Sequence, residues 1–215
     1  MAINKNFKAF IQFIIAVIVA IVAVNLIQQL LFTPVGVIGT SMEPTINSSG
    51  DTAYVMKRGY ELNVNDIVVF YRPKNAAAEE KLNPARTKFS AREFFVNFLH
   101  LRNSISTETE STDNDFICVI KRIVGVPGDT IEIKDAQLYR NGEIVEDFPM
   151  KEKSFGIGVN DVSPVEIDNG EYFVLGDNRN ISHDSEDYGC IKEDWILGKV
   201  VMLISRGENF GIKFP

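Results

Sequence analysis

Residues 9–32 contain no Asp, Glu, Lys or Arg, and 13–24 are continuously apolar. As a helix those 24 residues rise roughly 36 Å, enough to cross a hydrocarbon layer of about 30 Å. Lys5 and Lys8 stand on the N-terminal side, and no acid occurs before Glu43. The positive-inside rule then places the N-terminus in the cytoplasm and everything after the span on the outer face. A basic region followed by an apolar run also describes a cleavable targeting segment. This run is long for that, and no polar, small-residue cleavage region follows Phe32. The pattern therefore predicts an uncleaved anchor over residues 1–33 and an outer domain over 34–215.

Beyond Thr33-Pro34, which ends the helix, the pattern changes to short runs rich in Val, Ile, Phe and Tyr. They fall at 35–38, 52–55, 67–71, 116–124, 130–133, 137–140, 172–175 and 199–204, with Gly-Asp, Pro-Gly-Asp and Asn-Gly pairs between them. Asn141-Gly142, between 138–140 and 143–145, is a two-residue hairpin signal. Many short strands with little helix predict a mostly β domain, a folded antiparallel sheet carried on a single transmembrane helix.

Residues 74–115 interrupt this rhythm. Ser90 and Glu93 have the spacing of a capping box, and Phe89 and Phe94 that of a hydrophobic staple. Ala91, Phe94, Phe95 and Phe98 share one face of the helix expected over 91–101, while Arg92, Glu93 and Asn97 point elsewhere. That Phe face is expected to pack on the β domain. The competing reading is an interfacial helix, because residues 81–102 hold five basic residues against one acid. Polar, acidic residues 104–115 read as an irregular return.

Charge narrows the partners. Lys5 and Lys8 belong to the anchor, which leaves the rest of the chain at −9 against −7 for the whole. Such a balance argues against nucleic acid, whose binding needs a basic footprint. Cys118 and Cys190 have no metal or redox spacing and are expected as buried free thiols, although the outer compartment permits a disulfide.

Ser41, in Gly39-Thr40-Ser41-Met42-Glu43-Pro44-Thr45, is a nucleophile candidate nine residues beyond the uncharged segment. The pattern is not Gly-x-Ser-x-Gly, so it is not the α/β-hydrolase elbow. His183-Asp184 invites a Ser-His-Asp triad, but neighbours in an extended chain point to opposite faces. His183 is therefore expected on a polar loop surface, and His100 has no partner motif. Lys121 lies in an otherwise almost wholly apolar strand, as an edge-facing charge or as a buried amine. Burial disfavours a charged amine, and a neutral amine can take a proton from a serine hydroxyl. The Asp-rich segment from Asp177 does not fit a calcium loop, since Arg179 and Ile181 fall where oxygen ligands belong. No metal and no cofactor is expected.

Four segments stand in order behind the apolar helix: the Ser41 segment, Asp66-Ile67-Val68-Val69-Phe70, Lys121-Arg122-Ile123-Val124-Gly125-Val126-Pro127-Gly128-Asp129 and Gly176-Asp177-Asn178-Arg179. Together they resemble the ordered boxes of bacterial type I signal peptidases, the Ser/Lys dyad family, in a Gram-positive-like form. The resemblance runs from residue 1 to about residue 205, with 74–115 unmatched. It implies a serine endopeptidase of the cell membrane that removes signal peptides from exported preproteins on the outer face. Ser41 would be the nucleophile and Lys121 the general base. Ser182 would hold the lysine amine, Met42 would pack beside the nucleophile, and Asp184 would support the site from behind. The Ser41 N–H would help stabilise the oxyanion. Substrate would bind extended against exposed strand edges, with small side chains in shallow apolar pockets, as in Ala-x-Ala.

Two positions depart from the family. Gly39 replaces the serine that some members carry two residues before the nucleophile, as Gram-positive members often do. Glu186 stands where the family usually has Arg, which takes away the usual partner of Asp184. Arg122 or Arg179 is the expected source of compensating charge for Asp177 and Asp184, since unpaired buried carboxylates are costly. Two alternatives remain at this level: a processing peptidase for a narrow, for example pilin-like, set of exported proteins, and a non-catalytic membrane-tethered assembly factor on the same fold. A self-cleaving repressor shares the Ser/Lys logic but not the anchor.

Overall fold

A computed structural model describes residues 5–47, 50–75, 78–79, 105–106, 115–135, 137–146, 148–149, 161–205 and 211–215. The helix expected over 91–101 lies outside them. Helix α1 (Lys5–Leu31) is 27 residues long. Its Phe7–Val24 stretch has a mean hydropathy of 2.6, and none of its residues is buried against the rest of the chain. This is one N-terminal helix long and apolar enough to cross a membrane.

The helix passes directly into β1 (Phe32–Gly36), two residues earlier than the Thr33-Pro34 break suggested. The reason is pairing. Phe32 and Thr33 already face Met56 and Val55 of β2 (Thr52–Met56), and the Leu31 carbonyl accepts from Lys57 N at 2.8 Å. The helix is thus tied to the sheet at its last residue.

The remaining strands are β3 (Ile67–Pro73), β4 (Ile105–Ser106), β5 (Phe116–Gly125), β6 (Thr130–Lys134), β7 (Gln137–Arg140), β8 (Glu143–Ile144), β9 (Val162–Glu166), β10 (Glu171–Leu175), β11 (Ile191–Lys192), β12 (Ile196–Ser205) and β13 (Gly211–Lys213). They form a nine-stranded sheet in the order β11-β10-β5-β3-β12-β2-β1-β4, with β13 beside β12, and a four-stranded sheet β8-β7-β6-β9. The domain is mostly antiparallel β, as the alternating runs indicated. Strands β4, β9, β11 and β13 fall outside the runs read from the sequence. Ile105–Ser106, inside the polar stretch read as an irregular return, pairs with β1, and that pair is parallel. The polar, Pro-containing β9 also joins the small sheet against β6.

The Asn141-Gly142 hairpin forms as expected between β7 and β8. The Asn141 side chain braces it, accepting from Thr130 N at 2.8 Å and donating to Asp129 Oδ1 at 2.7 Å.

β5 positions the site. It borders β3 along most of its length and then β10 at its C-terminal end. Its Cys118 and Ile120 enter one apolar cluster with Met42, Ile46, Ile67 and Val69. Val119 and Ile123 enter a second with Val68, Phe70 and Val174. Val124 joins a third, between the two sheets, with Ile131, Phe173 and Leu175. A strand clamped by core on both faces is a rigid support for any polar side chain it carries.

Candidate active site

Ser41 follows β1 by five residues, in a short turn where Glu43 N donates to the Thr40 carbonyl (3.2 Å) and Ile46 N to the Met42 carbonyl (2.9 Å). Met42 and Ile46 sink into the core and anchor that turn. Gly39, just before it, has φ +92°, a left-handed conformation that a serine would adopt only with strain. Glycine is therefore what this backbone requires, a reason separate from any missing hydroxyl. Ser41 itself is only 8% exposed.

Lys121 is 2% exposed, among the most buried side chains of the domain. It is the buried amine of the two readings its strand allowed. It pairs with Val68 of β3, and Arg122 pairs with Leu175 of β10.

Gly176 is where the segments converge. A Cβ built there would collide with Ser182 Oγ and lie 2.6 Å from the Ser41 carbonyl oxygen. The next residues clasp the Ser41 turn: Asn178 N donates to the Ser41 carbonyl at 2.9 Å, and Asn178 Nδ2 to the Thr40 carbonyl at 3.0 Å. Ser182 N donates to the Asn178 carbonyl, so the same turn carries Ser182 back toward Gly176. Ser182 Oγ is buried with no hydrogen-bond partner among the described residues. An unpaired buried hydroxyl is costly unless a group in use there employs it.

A second clasp is ionic. Arg122 Nε and Nη2 donate to the two oxygens of Asp177 at 2.8 and 2.7 Å, and both side chains are buried. Asp177 also accepts from Thr45 Oγ1 at 2.5 Å, and Arg122 Nη1 donates to the Asn65 carbonyl at 2.8 Å. The strand of Lys121, the turn of Ser41 and the Gly-Asp-Asn segment are thus joined through one bidentate pair. Breaking such a pair strands a buried charge, so Arg122→Ala is expected to cost about 3–5 kcal/mol, a thermal midpoint lower by about 10 °C. The double change Arg122→Met with Asp177→Leu should cost distinctly less, because it leaves no unpaired charge. Thermal unfolding of both variants checks this.

Asp184, wholly buried, accepts from Gly176 N at 3.0 Å and from Arg179 Nη1 at 2.5 Å. Arg179 Nη1 also donates to the Gly176 carbonyl at 3.2 Å, and Arg179 Nη2 to Glu186. The charge partners left open by the sequence are therefore Arg122 for Asp177 and Arg179 for Asp184. Asp184 is also the N-cap of a one-turn helix, α2 (Ser185–Tyr188), with Asp187 reaching back to the Asp184 N–H. Burial raises the Glu186 carboxyl from 4.5 to about 7; Arg179 opposes the rise, and Asp184 and Asp187 add to it.

His183 lies on the surface, as its polar loop implied. Its side chain is 62% exposed, and Nδ1 lies 2.7 Å from Asp187 rather than from Asp184. Both cysteines are free, but only Cys118 is buried, and Cys190 is half-buried. Desolvation pushes their thiols up, to about 12 and about 11.

A profile of the family described as signal peptidase, peptidase S26, matches residues 10–205. The chain belongs to the signal peptidase family S26. Among curated relatives, signal peptidase IB of Staphylococcus aureus strain Mu50 is 30% identical over 211 residues, covering 90% of this chain and 88% of that protein. Signal peptidase I of Bacillus licheniformis is 30% identical over 205 residues, covering 91% and 88%. A crystal structure of a signal peptidase I from Enterococcus faecalis V583 is 24% identical, with a TM-score of 0.38, over 66% of this chain and 97% of that one. As an S26 signal peptidase the chain is a hydrolase that cuts signal peptides.

Three contributors went unassigned in the sequence, although all lie inside the quoted segments: Thr45, Gly176 and Asn178. Their signal was present only as residue type, a glycine before a carboxylate and an amide able to cap a distant loop. Contacts as far apart in sequence as Thr45 and Asp177 leave no periodicity to read.

Proposed function

We propose that Ser41 is the nucleophile and Lys121 the general base of this signal peptidase. The Ser41 hydroxyl gives its proton to the Lys121 amine as Oγ bonds to the scissile carbonyl carbon. The protonated amine then donates to the departing amino group of the mature protein, leaving the signal peptide as an ester on Ser41. Lys121 takes a proton from water, whose oxygen attacks the ester and frees Ser41. Ser182 Oγ orients the amine, and the Ser41 N–H stabilises the oxyanion. Substrate lies extended, with small side chains of an Ala-x-Ala site facing the nucleophile. Helix α1 holds the domain on the outer face of the cytoplasmic membrane, with the N-terminus inside.

One observation carries most of this reading. The Arg122–Asp177–Thr45 link and the Asn178–Ser41 bond join the segments of Ser41, Lys121 and Ser182 into one buried unit. The test incubates detergent-solubilised full-length protein with a preprotein bearing an Ala-x-Ala site. Cleavage by the wild type and none by Ser41→Ala or Lys121→Ala is expected. Cleavage that persists in both variants overturns the assignment.

A further inference from the structure

Glu186 stands where the family usually has a base of opposite charge, and its placement gives that departure a consequence. Arg179 carries three bonds at once: to Asp184, to the Gly176 carbonyl and to Glu186. Asp184 in turn accepts from Gly176 N. Both peptide groups of Gly176 are therefore fixed by one Arg–Asp pair, and Gly176 is the residue against which Ser182 Oγ and the Ser41 carbonyl pack. One guanidinium serving two carboxylates leaves an excess negative charge behind the site.

We propose that Glu186 is a positioning residue of this peptidase: by holding Nη2 of Arg179 it sets the Gly176 turn, and through it the placement of Ser182 and Ser41. The inference rests on the roles given above to Ser41, Lys121 and Ser182. It identifies the position, read from sequence as a loss of support for Asp184, as a second anchor for the arginine that replaced that support.

The arrangement responds to pH. The groups around the Glu186 carboxyl are Arg179 from the preceding turn and Asp184 and Asp187 from its own helical turn. His183 pairs with Asp187, and Arg72 of β3 lies over the Tyr188 ring, 5.0 Å from its centre. With its value raised from 4.5 to about 7, Glu186 is ionised above that pH and holds Arg179 by a charge-assisted bond. Below it the carboxyl is neutral and the hold weakens. The sign for stability is opposite. A carboxyl whose folded value is raised binds its proton more tightly when folded, so stability present below about 4.5 is lost as pH rises through about 7. The ionised state costs stability while it organises the site.

The test compares full-length wild type, Glu186→Gln and Ser41→Ala in detergent, measuring kcat against pH from 5.5 to 9 together with thermal midpoints. Glutamine imitates the neutral carboxyl. The variant should match the wild type near pH 5.5, stay about fivefold below it in kcat at pH 8, and lack the wild-type inflection near 7. Its midpoint at pH 8 should equal or exceed that of the wild type. Arg179→Lys, which loses the guanidinium fork, should abolish the difference between Glu and Gln at 186. A wild-type pH profile in Glu186→Gln, with or without a changed midpoint, overturns the proposal. So does a profile displaced equally at every pH. Ser41→Ala separates the two layers: if it stays active, the nucleophile assignment fails; if it is inactive while Glu186→Gln behaves as wild type, only the role of Glu186 fails.

Discussion

Ser41→Ala and Lys121→Ala should each lower kcat/KM on an Ala-x-Ala preprotein by roughly 10⁴- to 10⁶-fold, and the double variant should be no worse than either single one. The reason is that a nucleophile and its base act as one unit. Once the hydroxyl is gone, a base has nothing to activate; once the base is gone, a serine at its ordinary acidity is a weak nucleophile. The folded protein should survive both changes. Ser41 contributes its carbonyl, not its hydroxyl, to the bond with Asn178, so the turn is kept in Ser41→Ala. Lys121→Ala leaves a gap at a site 2% exposed, which calls for a parallel measurement of its thermal midpoint. Lys121→Met, of similar volume, separates loss of the amine from loss of packing, and it should be as inactive as Lys121→Ala. Multiplicative losses in the double variant would mean that the two residues act independently.

The second large effect is expected at a residue with no chemistry of its own. Gly176→Ala introduces a methyl that collides with Ser182 Oγ and lies 2.8 Å from Ser182 Cβ and 2.6 Å from the Ser41 carbonyl oxygen. The Ser41 carbonyl oxygen and Gly176 itself cannot retreat freely. The Ser41 carbonyl is held by Asn178 N at 2.9 Å, and Gly176 is held on both sides by Asp184 and Arg179. Overpacking of this kind costs about 1–3 kcal/mol, and displacement of catalytic groups by about 1 Å costs on the order of 10² in rate. Gly176→Ala should therefore remain folded with kcat lower by about 10²-fold and KM changed much less. An unchanged kcat would show that the turn does not set the positions of Ser41 and Ser182.

Much of this molecule was legible in its sequence, and the parts that were not share a cause. The long apolar helix and the strongly apolar β3, β5 and β12 declare themselves because each buries side chains against core, and burial leaves a pattern. β9 did not: it has Pro164 inside it, and three of its five residues face solvent while the other two are half-buried, a composition that normally demotes a strand. β4 and β11 are two residues long, too short for alternation to show. At the site, the four ordered segments are what point to Ser41 and Lys121. The need of Asp177 and Asp184 for cations was legible from the cost of burying charge, but not which arginine serves which. That is decided by register: Arg122 lies opposite Leu175, two residues from Asp177, while Arg179 reaches Asp184 within its own turn. The Gly39 position was read for a hydroxyl it lacks, whereas its backbone dihedral supplies the reason for glycine.

Whether Ser41 becomes covalently bonded to substrate tests the account most directly. Full-length protein would be mixed with preprotein, quenched in acid during the first turnovers, digested and examined by mass spectrometry. The account predicts the mass of the signal peptide as an ester on the peptide containing Ser41, present in the wild type and absent in Ser41→Ala and Lys121→Met. An adduct on any other residue, or undiminished cleavage by Ser41→Ala, would contradict it.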